Sequence, residues 1–276
     1  MGKWFSPGSW LLYTLARGIP LKLTVIGSGP ALPQRDRAAP CHLIRHGRET
    51  IVVDLGPGSA RGLLLNGGIT LREVGLILLT HFHPDHCHDL IPFLFALRAE
   101  ELARHEPLRI LGPVGMVDHY EGLRRMWEQR VEPVGYDLRI DDWNREELKW
   151  DDLRIKAART VHSVPNLAWS IEGPEGFGII LTGDGEPTEE LIELGATSDH
   201  ILVTECSLPV GGTVPGHMNP AQAGDLARRC GSRKLILTHF NPDVETVPAK
   251  VEAEDHFGGE VIIAEDGMEI EIGEGS

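Results

Sequence analysis

Thr80-His81-Phe82-His83-Pro84-Asp85-His86 sets four metal-type donors, His81, His83, Asp85 and His86, within six residues, directly behind the apolar run Val74 to Leu79. Alternation along an extended segment puts residues two apart on one side, so His81 and His83 can share a cation. Pro84 turns the chain. Asp85 and His86 then open a helix and face a second position. Imidazole and carboxylate suit zinc and similar divalent ions. A solvated His-rich loop is the plain alternative. Four donors crowded together without a cation, however, leave polar groups unpaired. The segment follows a buried strand, where sites of α/β sheets lie.

Working outward, the pattern predicts strands at Leu21–Ile26, Val74–Thr80, Leu108–Leu111, Asp137–Ile140, Leu153–Thr160, Leu167–Ile171, Gly178–Thr182, His200–Thr204 and Lys234–Thr238. Cys41–Arg45 and Thr50–Asp54 read as a hairpin. Ser59 is expected to cap a helix reaching Asn66. Further helices are predicted over Asp89–Glu106, Val114–Glu128, Pro187–Leu194 and Pro220–Arg229. A closing hairpin, Val261–Ala264 with Glu269–Ile272, is expected over Asp266-Gly267.

Leu78-Leu79-Thr80-His81-Phe82-His83-Pro84-Asp85 is echoed by Ile236-Leu237-Thr238-His239-Phe240-Asn241-Pro242-Asp243. Both are apolar strands ending in Thr-His-Phe, a pattern expected of two related halves facing one site. His162 and Asp184 also follow apolar strands. Gly183 and Gly185 flank Asp184 and permit close backbone approach. The expected site therefore comprises His81, His83, Asp85, His86, His162, Asp184 and His239.

The 276 residues carry 41 acidic and 26 basic side chains, a formal net charge of −15. That balance disfavours a polyanionic partner. Cys41, Cys87, Cys206 and Cys230 form no CxxC pair, and scattered thiols point to a reducing, cytoplasmic setting. No apolar run is long enough to span a membrane. Residues 1–20, with Trp4, Phe5 and Trp10, are expected to form an N-terminal arm ahead of one domain, 21–276. The arm could serve a homodimer.

These motifs resemble the metallo-β-lactamase fold, which implies an α+β, four-layer αβ/βα sandwich with its metals at one edge of the sheets. Residue by residue, the resemblance implies that His81, His83 and His162 bind one ion, that Asp85, His86 and His239 bind the other, and that Asp184 bridges them. Two zinc ions are expected, with manganese or iron as alternatives. Asp54 matches a supporting position behind the ligands. Within the fold, Gly27-Ser28-Gly29, Asp54 to Gly58, Thr204-Glu205-Cys206 and Gly216-His217-Met218-Asn219-Pro220-Ala221-Gln222-Ala223 resemble ribonuclease Z and its phosphodiesterase relatives. That likeness implies His217 as general acid, with Glu205 orienting it.

The tRNA-processing members carry a long clamp between the third histidine motif and the bridging aspartate. Here His162 and Asp184 stand 22 positions apart, and Met218 and Asn219 replace small hydroxyl residues. The expectation is thus a two-metal phosphodiesterase in which a hydroxide held between the ions, oriented by Asp85 or Asp184, attacks a small or cyclic phosphodiester. Alternatives are ribonuclease Z-type RNA 3′-processing, hydrolysis of a sulfate ester, lactone, thioester or β-lactam, and a catalytically silent metal-binding protein. The expected partner is a small anionic ester, with nucleic acid and membranes disfavoured.

Overall fold

The structure, a computed structural model, describes residues 20–99, 102 and 104–273. The expected N-terminal arm lies outside the described residues, Pro20 excepted. Two seven-stranded sheets face each other. The first runs in the order β14 (Glu269–Ile272), β1 (Leu21–Gly27), β2 (Cys41–His46), β3 (Glu49–Val53), β4 (Leu76–Leu78), β5 (Leu108–Gly112), β6 (Leu138–Asp142). The second runs β13 (Glu260–Ile263), β12 (Lys234–Thr238), β11 (Asp199–Glu205), β10 (Phe177–Leu181), β9 (Asn166–Glu172), β8 (Leu153–Thr160), β7 (Leu148–Trp150).

Strands buried on both faces read as continuous apolar runs, as in Leu76–Leu79 and Leu235–Leu237. The central core, including Leu23, Ile44, Leu78, Trp169, Ile179 and Ile236, fills the space between the sheets. A second cluster lies under α1 (Ser59–Leu65), α2 (Pro84–Cys87), α3 (Leu90–Ala96) and α4 (Met116–Trp127). A third lies under α5 (Glu189–Gly195), α6 (Pro220–Cys230) and α7 (Thr246–Phe257). The result is the four-layer αβ/βα sandwich.

Four local expectations are corrected. β13 and β14 are not a hairpin: β13 adds parallel to β12, whereas β14 pairs antiparallel with β1. Asp266, between them, anchors the crossing by accepting from Ser28 N (2.9 Å) and Ala38 N (2.7 Å). Ser59 is the first residue of α1, not its cap. Gly58 (φ 96°) holds the cap position, and Asp89 Oδ2 accepts from Gly58 N (3.1 Å) and Ala60 N (2.9 Å).

The helix expected over Asp89–Glu106 ends at Ala96 in the structure, where Arg98 N and Ala99 N bond to Phe95 O and Ala96 O and tighten the last turn. Downstream, buried Arg104 donates to the carbonyls of Arg72, Val74, Glu106 and Pro107, which draws residues 104–107 along an irregular path. Finally, α7 stands where no helix was expected. Its buried side chains, Ala249, Ala253 and Phe257, recur every four residues but are mostly small. Among the described residues, no helix is long and apolar enough to cross a membrane.

Candidate metal centre

Parallel strands whose ends line up along one edge build the site. β4 runs into His81, and β12, in the opposite sheet, runs into His239. β8 leads to His162 and β10 to Asp184, while β11 ends on Glu205. Pro84 is the first residue of α2, which turns Asp85 and His86 back toward the strands.

All seven expected side chains come together. His81, His83, His162 and Asp184 form one group of converging donor atoms, and Asp85, His86 and His239 form a second. In the first, His83 Nδ1 lies 3.1 Å from His81 Nε2 and 3.2 Å from His162 Nε2. In the second, His86 Nε2 and His239 Nε2 are 3.3 Å apart, and His239 Nε2 is 3.3 Å from Asp85 Oδ2. Asp184 Oδ1 is buried and accepts no hydrogen bond, although His86 Nε2 and His239 Nε2 stand 3.4 and 3.5 Å away. An unbonded carboxylate oxygen among ring nitrogens is costly unless a cation joins them. The donor set therefore fits divalent ions of the zinc class.

Outer contacts fix each ring. Asp54, with φ 62°, meets His86 Nδ1 at 2.8 Å and accepts from Thr80 N at 2.8 Å, so it serves both the turn and the site. His162 Nδ1 donates to Gly216 O (2.8 Å), and Gly216 N donates to Glu186 Oε1 (2.7 Å), which moors the loop carrying His217. The Asp184 carbonyl accepts from Thr160 Oγ1 (3.0 Å) and Asn166 Nδ2 (2.6 Å). Thr80, Asn166, Glu186 and Ser207 were missed by sequence reasoning. Only Thr80, repeated as Thr238 in the echo, left any local signal.

His217 lies half-buried beside His162, with ring centroids 5.1 Å apart. Its Nδ1 is 3.1 Å from Glu205 Oε2, and that hydrogen bond raises its pKa above the ordinary histidine value. Glu205 Oε1 also accepts from Gly185 N at 2.6 Å. Burial alone would raise the Asp184 carboxyl, but the His239 and His86 imidazoles hold it well below the ordinary carboxylate range. Protons and cations compete for these same atoms. Cys87 stays out of both groups, donating to His83 O at 3.2 Å, and His88 is exposed.

Residues 49–240 match the profile of the beta-lactamase superfamily domain. The chain belongs to this family. A ribonuclease Z of Mycobacterium bovis is 27% identical, the match covering 91% of this chain and 98% of the relative. The crystal structure of the metallo-beta-lactamase fold protein YhfI from Bacillus subtilis superposes with a TM-score of 0.80 at 26% identity, covering 91% of this chain and 99% of that one. Human tRNase Z, short form, shares the fold, with a TM-score of 0.71 at 24% identity over 90% and 98% of the two chains. The protein is thus a metallo-β-lactamase-fold hydrolase, and its fold implies divalent metal ions.

Proposed function

We propose that the chain is a dinuclear phosphodiesterase acting on small or cyclic phosphodiesters. The observation that carries this reading is the pair of donor groups, with Asp184 of the first standing 3.4 and 3.5 Å from His86 and His239 of the second and converging in turn with Glu205 and His217. His81, His83 and His162 would hold one ion, and Asp85, His86 and His239 the other, with Asp184 between them. Zinc is the ion this donor set favours. When bound, two such ions activate water and neutralise charge on a phosphoryl oxygen.

The chain's own groups supply the rest. Asp85 and Asp184 offer carboxylate oxygens that orient the attacking water and accept its proton. His217, its Nδ1–H held by Glu205, presents Nε2 to protonate the leaving alkoxide. Positioned acids of this kind contribute about 10²–10⁴-fold. The segment between His162 and Asp184 is only the β9–β10 pair, with a turn at Gly173–Gly176. It carries no arm to grip a folded RNA, which favours a small substrate, as does the acidic charge.

The test compares turnover of bis(p-nitrophenyl) phosphate and a cyclic phosphodiester with that of sulfate-ester, lactone and thioester substrates. Fast turnover of another class with none of the phosphodiesters removes the proposal. Likeness to the M. bovis ribonuclease Z supports a second reading, RNA 3′-processing. A precursor tRNA belongs in the same panel; its cleavage in preference to small diesters would favour that reading.

A further inference from the structure

A cavity of about 780 Å³ opens beside the metal cluster, within the size range of small-molecule sites. Its walls include Pro113 beyond β5, Trp143 and Arg145 on the segment crossing from β6 to β7, and Thr160 and Asn166 at the ends of β8 and β9. β5 pairs with β4, which delivers His81. Thr160 precedes His162 by two residues, an extended step of roughly 7 Å. Thr160 and Asn166 also hold the Asp184 carbonyl. One short segment therefore separates the cavity from the candidate ligands.

Two arginines, Arg145 and Arg159, and two glutamates, Glu146 and Glu190, are among the residues lining the cavity. The Arg145 guanidinium lies over the Trp143 ring, 5.8 Å from its centroid, and its Nε is buried without a hydrogen bond. Among the described residues, no carboxylate pairs with it. Arg159, also lining the cavity, stands 4.0 Å from Glu190 at the exposed rim, where solvent and salt screen the pair. Trp143 is braced edge-on by Trp169, 5.1 Å away. A guanidinium resting on an indole face keeps its in-plane donors free for an anion, and its own plane stacks on rings.

We propose that this cavity receives the distal group of the substrate, and that this group is a planar ring bearing a negative charge. The inference rests on the hydrolase reading of the adjacent cluster. Arg145 pairs with the anion and Trp143 supports the stack, so the two residues select among esters while the metal cluster handles the scissile bond.

The test is calorimetric titration of the metal-loaded protein with naphthalene-2-sulfonate, with cyclohexanesulfonate as the non-planar control and 2-naphthol as the uncharged one. The expected result is binding of naphthalene-2-sulfonate at least about tenfold tighter than either control, roughly 1.4 kcal/mol. R145M should lose that advantage and leave 2-naphthol binding unchanged, while R145K should retain part of it. Equal affinity in wild type and R145M, or no preference over cyclohexanesulfonate, overturns the proposal. Because the titration needs no turnover, its failure is separable from absence of phosphodiester hydrolysis, which would count against the reaction alone.

Discussion

His239 Nδ1 lies 3.0 Å from the hydroxyl of Ser207, and that hydroxyl donates to Glu205 Oε2. The same carboxylate oxygen meets His217 Nδ1 at 3.1 Å. One buried glutamate thus orients a candidate ligand through Ser207 and the candidate acid directly. With Nε2 of His239 turned to the donor cluster, Nδ1 carries the proton and Ser207 receives it.

Ser207→Ala removes the acceptor for His239 Nδ1–H. Metal affinity is expected to fall about 10–100-fold, the usual consequence of losing such an outer partner. Competition with a chromophoric chelator measures it. An unchanged affinity would show that His239 needs no such support.

His217→Ala should leave metal content intact and slow turnover of alkyl phosphodiesters by about 10²–10⁴-fold. The loss should shrink for p-nitrophenyl esters, whose leaving group needs little protonation. Glu205 raises the His217 pKa, and an acid works only while protonated, so activity should extend to higher pH than an ordinary histidine allows. In Glu205→Gln, the descending limb of the pH–rate profile should move to lower pH. A limb that stays in place would argue against His217 as the acid.

Gly183 adopts φ 60°, and a Cβ there would lie 2.6 Å from Thr80 Cβ. Gly183→Ala should therefore cost at least about 2 kcal/mol and displace Asp184. Thermal unfolding and metal titration would register both effects. A variant with wild-type Tm and metal content would contradict the packing described.

His42 is buried in β2, and burial, followed by the His86 and His239 imidazoles, pulls its pKa down to about 3. The unfolded chain protonates this residue as pH falls through about 6.5, but the fold does not until about 3. Between those values the unfolded state binds more protons, so falling pH removes stability, by up to about 1.4 kcal/mol per unit. Metal-free wild type should lose about 2 kcal/mol more than His42→Leu between pH 7.5 and 5.0. Urea unfolding of both proteins at the two pH values measures the difference; parallel losses would exclude His42 as a source.

Much of the candidate site was legible because polar residues at the ends of apolar strands have few reasons to be there. His81, His162, Asp184 and His239 were visible on that ground, and the Thr-His-Phe echo placed β4 and β12 as counterparts. Ser207, Asn166 and Glu186 were not legible. Each is an ordinary loop or strand-end residue whose role depends on a partner 18 to 32 positions away. The cavity beside Arg145 was equally hidden, since its walls come from five separate segments.

By itself, the order of residues determined the strand runs, the donor types and their spacing, because burial period and coordination chemistry act locally. Only the tertiary structure decided that β13 and β14 join different sheets, that Asp89 serves α1, and that Glu205 governs both His217 and Ser207. Such pairings depend on how the two sheets pack, and that is settled by apolar contacts summed over the whole core rather than by any single stretch.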